Sequence, residues 1–449
     1  MSKYLFDEFD KVSPKQWKQK IQVDLKGADY NETLLWKTNE GITVKPFYTK
    51  KDQTHQEIDF SKNGFNICQS IFIDDEIIAN QSAIDALQRG ATAIEFYANS
   101  VFNYKKVLEN IDTSSTKIYF NFGFLSSDFV LEISNFINSK NSFFNIDIIG
   151  NLAKTGNWFS NSKEDYNQLE KIVSSTDNCI RVGSSIYQNA GANSIQQLAY
   201  ALAHANEYLN HFGESVAEKI HFNFSVGSNY FFEIAKLRAF RILWTSLLNQ
   251  YGVKNTSTHI FTQPSFRNKT LYDYNVNMLR TTSECMSAIL GGADTISNVA
   301  YDEIFHKPNE FGERISRNQL LILQQESELA EAQNIADGAY YIEAITEQLC
   351  EKALEIFKLI EQGGGFLKQL NEGIIQKKIA ESAQKEQEQF DSGELVLLGT
   401  NKIPNENDVM KNDLELFPFV RPRTEKTIIL PIIPRRLAEK LEQERLENE

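Results

Sequence analysis

The chain has 449 residues, 41 % of them hydrophobic and 12 % aromatic, with only 9 Pro and 22 Gly, so it can bury a large core and is not of low complexity. A formal net charge of −14 with no evident basic patch argues against nucleic acid and anionic membrane surfaces as partners. No run of about 18 apolar residues is present to span a bilayer, and the opening MSKYLFDEFDKVSPKQW has acidic residues but no apolar stretch of the kind a signal peptide needs.

Cys68, Cys179, Cys285 and Cys350 lie far apart without metal-ligand spacing, the pattern of buried free thiols in a reducing cytoplasm. Residues 1–45 read as an extended arm carrying Trp17, Tyr30 and Trp36, expected to lie on its own domain or on a partner subunit. From residue 66 onward, β-rich runs at 66–74, 92–98, 116–122, 144–150, 178–184, 219–227, 257–263 and 293–297 alternate with helical patterns. The helical stretches are 80–89, 101–111, 126–139, 163–174, 194–211, 229–251 and 272–290.

Eight such runs are the arithmetic of an α/β fold of the (β/α)8 TIM-barrel type, spanning residues 46–312. An open doubly wound sheet is the competitor, but no Gly-rich phosphate fingerprint follows the first strand. The stretch 271–303 shows the pattern best: apolar positions at helical spacing for about six turns, a stop at Gly291-Gly292, then a short extended segment. Residues 313–400 switch to helices that close the barrel, and 401–449 form a tail read as either a solvated helix or a partner-bound arm.

Chemistry is less legible. Of six histidines (His55, His204, His211, His221, His259 and His306), His221 and His259 fall in predicted strands, where a hydrogen-bonded core histidine competes with an acid-base role. Glu95 and Asp147 are the strand carboxylates, mid-strand or outward-facing, and Arg280 stands on an otherwise apolar helix with a structural salt bridge as its ordinary explanation. The H-E-x-x-H, Walker A and G-x-S-x-G patterns are absent.

Several separated segments nevertheless resemble one family. They are GITVKPFY (41–48), QNAGANSIQQLAYALAHANEY (188–208), Leu279-Arg280-Thr281-Thr282 with Leu290 to Glu303, RISRNQLLILQQES (314–327) and AYYIE (339–343). Gly363-Gly364-Gly365, Gly373-Ile374-Ile375, Ser392-Gly393 and Leu398 to Lys402 follow in the same order. Together they resemble the acyl-CoA-binding barrel half of the methylmalonyl-CoA mutase family. The resemblance implies a barrel followed, in active chains, by a flavodoxin-like cobalamin domain, and adenosylcobalamin-dependent interconversion of methylmalonyl-CoA and succinyl-CoA.

The departures from the family pattern carry expectations of their own. Where active chains have Tyr-His before Met-Gln-Glu-Ala-Gly-Ala, this chain has Ser185-Ile186-Tyr187-Gln188-Asn189-Ala190-Gly191-Ala192, so Ile186 stands where the family has its catalytic His. Residues 49–66 contain nothing like the Arg-Gly-x-Tyr-x-Thr-Met-Tyr segment that holds CoA substrate and radical, and the cobalt-ligating D-x-H-x-x-G motif is missing. Ile118, Phe120, Phe122, Phe222 and Phe224 are candidates to plug a lumen that active barrels keep open for the CoA arm.

The expectation is a cytoplasmic, non-catalytic small (β) subunit of a heterodimeric mutase of propionate metabolism, without a cobalamin domain, a metal site or catalytic residues of its own. Its partner is then a homologous large (α) subunit that binds the adenosylcobalamin. The alternative is the substrate half of a split acyl-CoA mutase whose cobalamin domain is a separate chain.

Overall fold

The computed structural model describes residues 8–53, 58, 60, 64–254, 258–331, 334–421 and 424–449; His55 and part of the 49–66 stretch lie outside the described residues. Eight parallel strands are present: β1 (Asn66–Phe72), β2 (Ala93–Ala98), β3 (Lys117–Phe122), β4 (Ser142–Phe144), β5 (Ile180–Gly183), β6 (Ile220–Val226), β7 (Ile260–Pro264) and β8 (Thr295–Ser297). They pair in the order β4-β3-β2-β1-β8-β7-β6-β5. The ends of that order meet through a parallel bridge, Ile146 to Ile180, with Arg181 N–H donating to the Ile146 carbonyl at 2.9 Å and Phe144 N–H to that of Asn178 at 2.9 Å. A parallel sheet closed on itself has no edge and hides both faces, so its strands alternate side chains that pack on the helices with side chains that enter the lumen.

The surrounding helices are α1 (Glu76–Gln88), α2 (Ser127–Ile137), α3 (Ile148–Thr155), α4 (Ser162–Ser175), α5 (Ser194–Phe212), α6 (Tyr230–Gln250), α7 (Val276–Leu290) and α8 (Glu310–Leu321). Most begin on a side-chain cap; Asn193 and Gln196, for example, form a reciprocal capping box on α5. The α7 helix is shorter than the six turns expected, because Asn277 turns back to the Thr270 amide and carbonyl and holds 270–275 in a turn. Its exit is Gly292, at φ +86°, where any side chain would strike the Phe60 ring.

One strand departs from the sequence reading. Residues 144–150 alternate like a strand, yet Asp147 accepts a hydrogen bond from the Gly150 amide at 2.7 Å and caps α3, so β4 ends at Phe144.

Helices α5 and α6 are apolar nearly all round because a second helical layer covers them: α9 (Tyr340–Gln362) packs across both, and α10 (Ile374–Asp391) follows. Gly191, in the family-like Ala-Gly-Ala run, has φ +103°, and a Cβ there would sit 2.4 Å from Cβ of Ala383 on α10. That run is a docking point for α10, reinforced by an Arg267–Glu386 ion pair.

The N-terminal arm differs from expectation in not being extended throughout: Ser13 and Gln16 cap a helix over Pro14–Asp24, which buries none of its residues. The tail ends in a helix over Glu439–Glu447, and the segment before it is tied to the barrel. Ile432 donates to the Ala153 carbonyl at 2.7 Å, Arg435 to that of Asn189 at 3.0 Å and Leu437 to that of Arg267 at 2.8 Å, strapping the tail across the ends of α3, β5 and β7.

Candidate functional site

Strand alternation decides which side chains enter the lumen. Ile118, Phe120, Phe122, Phe222 and Phe224 all point outward, Phe120 stacking between Phe96 and Phe144 and the β6 pair packing on Phe240, with Trp244 against Phe222. The expectation that these five plug the barrel is therefore wrong in its residues: in KIYFNF and IHFNFSV the apolar positions pack against the helices, while Tyr119, Asn121, His221 and Asn223, which alternate with them, face the lumen. The lumen is nonetheless closed, by the alternate set. Cys68, Ala93, Tyr119, Phe143 and Phe261 form an inner cluster separate from the main core.

Tyr119 is the centre of this floor. Its ring stacks on Phe143 at 4.7 Å and meets Phe261 edge-on at 4.9 Å, and its hydroxyl bonds both His259 Nε2 and Thr295 Oγ1 at 2.8 Å. Burial pulls His259 down to about 4 and His221 well below the ordinary histidine value, so both are neutral at physiological pH. They are hydrogen-bonded core histidines, and neither is poised for proton transfer near neutrality.

Above the floor lies a polar layer. Glu95, placed mid-strand or outward by the sequence, points inward and is fully buried. It accepts from Ser70 at 3.1 Å and from Asn145 at 3.3 Å, with Tyr97 and Asn121 also hydrogen-bonded to it. Burial raises its carboxyl above the usual range. His221 Nε2 bonds the side-chain Oδ1 of Asn145 at 2.8 Å.

Asp147 is anchored by five groups. It takes the Gly150 and Gly183 amides, the Tyr208 hydroxyl at 2.9 Å and His204 Nε2 at 2.9 Å, and it feels the charge of Arg181. Burial opposes ionisation, but His204, Arg181 and the amide outweigh it and hold Asp147 at about 2. With the His204–Tyr187 bond at 2.9 Å, the assembly locks β5 and the short helix Ser185–Asn189 to α5.

The space over this layer is a cavity of about 720 Å³ at the C-terminal mouth of the strands, where barrel enzymes place their chemistry. Ile186 faces this cavity from the Ser185–Asn189 helix and offers only hydrocarbon to it. Arg181 rises from β5 into the same space; sequence reasoning passed over it, although an Arg between Ile180 and Val182 in a strand was the available signal.

At the rim, Glu303 lines the mouth yet is crowded by protein, and desolvation pushes it up to about 7. His306 beside it bridges Asp302 at 3.1 Å and Asp413 of the tail at 3.4 Å. Arg280 is remote from the mouth and makes no salt bridge among the described residues; it bonds Thr270, Asn277 and the Leu398 carbonyl. Among the described residues no cluster of three His, Cys, Asp or Glu is arranged to hold a metal, and no helix is long and apolar enough to cross a membrane. All four cysteines are free.

Residues 140–426 match the family model for methylmalonyl-CoA mutase. The chain is 31 % identical to the methylmalonyl-CoA mutase small subunit of Porphyromonas gingivalis, over 92 % of this chain and 73 % of that protein. It is 32 % identical to the large subunit of the same organism over 52 % of this chain, and 36 % identical to the methylmalonyl-CoA mutase of Rhizobium meliloti over 51 %. In both of these longer relatives it spans only 34 % of their length. A match over more than half the chain, with a relative covered over most of its length, places this chain in the methylmalonyl-CoA mutase family.

Proposed function

We propose that this chain is the non-catalytic small subunit of a two-chain mutase, working in the cytoplasm beside a homologous large subunit that isomerises methylmalonyl-CoA to succinyl-CoA with adenosylcobalamin. The observation that carries the reading is the floor of the lumen: the Tyr119 ring and its bonds to His259 and Thr295 stand where a threaded CoA arm has to pass. Ile186 at the mouth supports it, since its side chain cannot hydrogen-bond a thioester carbonyl. No residue of this chain is assigned to cobalamin, because the sequence has no D-x-H-x-x-G.

The Pro14–Asp24 helix supports a partner. A helix of 11 residues is marginal in water by itself, and this one buries none of its residues and leaves Val23 and half of Trp17 exposed, although Trp17 meets Phe47 edge-on and Lys18 sits over the Tyr30 ring. The domain reading follows: 1–45 as the subunit-contact arm, 46–312 as the barrel, 313–400 as the helices that cover it, and 401–449 as the strap.

The test is light scattering of the full chain mixed with its large subunit, with and without residues 1–24. A 1:1 complex weakened by the deletion is expected, and its absence contradicts the reading. Turnover by this chain with a separate cobalamin domain and no large subunit establishes the split-enzyme alternative instead.

A further inference from the structure

Among the described residues that line the cavity above the closed floor, Arg181 is a cation set deep in a strand whose hydrogen-bonding capacity the protein does not use. Arg181 has five N–H donors in a planar fork. Among the described residues its side chain donates to no partner: its Nε is buried without a hydrogen bond, and it forms no ion pair within 4.0 Å. Two carboxylates are near enough to act on it by charge, Glu95 and Asp147, but both are engaged elsewhere. Glu95 is taken by Ser70, Asn145, Tyr97 and Asn121, and Asp147 by two amides, Tyr208 and His204. The guanidinium is thus held in place by charge while its donors face the cavity.

Asn223 stands on the neighbouring strand, one step above the His221 that pairs with Arg181, and it also lines the cavity. Its side chain is buried and makes no hydrogen bond to any described residue, so it adds a further donor on the same side. A planar fork beside an amide matches a planar oxyanion bound bidentately. The flanking Glu95 and Asp147 disfavour a group of higher negative charge such as phosphate. The floor below excludes any ligand that must extend through the barrel.

We infer that the mouth of this barrel is a binding site for a small free carboxylic acid, anchored through its carboxylate by Arg181 and Asn223. The site needs neither a CoA ester nor a partner subunit, so it stands or falls apart from the subunit reading.

Calorimetry and thermal unfolding of the full chain test it, with the monoanions acetate and propionate as probes and inorganic phosphate and matched sodium chloride as controls. A saturable heat and a rise in unfolding temperature are expected with a carboxylate and not with the controls. Arg181→Gln is expected to weaken binding about ten- to a hundred-fold, the loss of one charge-assisted contact. Asn223→Asp, which places a like charge against the ligand, provides the same readout if the first variant does not fold. Absence of saturable carboxylate binding, phosphate binding as well as the acids, or full affinity retained in a folded variant each overturn the proposal.

Discussion

Removing one oxygen from the barrel floor isolates the bond network that closes it. Tyr119→Phe keeps the ring that stacks on Phe143 and Phe261 but leaves His259 Nε2 and Thr295 Oγ1 without their shared partner, both inside the lumen. An orphaned buried polar group costs about 1–3 kcal/mol, and rearrangement of Thr295 recovers part of it, so a loss of about 2 kcal/mol is expected. Because 449 residues carry a large unfolding entropy, that corresponds to only about 2 °C in Tm, and the urea midpoint is the better readout. Tyr119→Ala also removes the ring and is expected to cost about 3–5 kcal/mol through the cavity it leaves. If Tyr119→Phe lies within about 0.5 kcal/mol of the parent chain, the hydroxyl is not holding the floor and the account of its closure is wrong.

Three further outcomes follow from the same geometry. Because burial depresses His259 below its ordinary value, its contribution is fully present above the unfolded pKa of 6.5 and lost as pH falls toward the folded value of about 4. His259→Gln is therefore expected to flatten the fall in stability between pH 6.5 and 5 by about 1.4 kcal/mol per pH unit, read from urea midpoints at several pH values. At His306 burial opposes protonation, but Asp302 and Asp413 outweigh it and raise the imidazole, so the latch to the tail is made below the ordinary histidine value and weakens as pH rises through the raised one. Proteolysis of the 408–416 segment is expected to be faster at pH 8 than at pH 6, and His306→Gln to remove the difference. Gly191→Ala drives a Cβ into Ala383 of α10 at φ +103°, whereas Gly213→Ala at φ +80° meets nothing within 4 Å. The first is expected to be more destabilising by about 1–3 kcal/mol, with α10 the region that loses hydrogen-exchange protection.

The barrel was legible because its eight runs and the helices between them differ in period, and the family-like segments fell in order along them. The alternation within a strand is legible, but not which of its two faces meets the lumen. Ile118, Phe120 and Phe122 alternate with Lys117, Tyr119 and Asn121, and it is the apolar set that packs on the helices, so the floor falls to Tyr119 and not to its outward neighbours. Asp147 illustrates a local override: an alternating run became a helix start because a carboxylate captured the Gly150 amide. The strap formed by the tail depends on backbone bonds such as Leu437 to Arg267, which join positions far apart in sequence and leave no periodic trace. Ile186 was identified by resemblance alone, since nothing in an isolated isoleucine marks a missing imidazole. Arg181 was detectable in principle, as a lone charge amid strand residues, but its free donors are a property of how Glu95 and Asp147 spend theirs.

The most direct test of the central claim is isothermal titration of the full chain with succinyl-CoA. A lumen stopped by Tyr119, Phe143 and Phe261 leaves no path for the CoA arm, and no saturable heat beyond what free succinate gives is expected. Saturable binding of the ester that free succinate does not reproduce contradicts the closed barrel and with it the non-catalytic role.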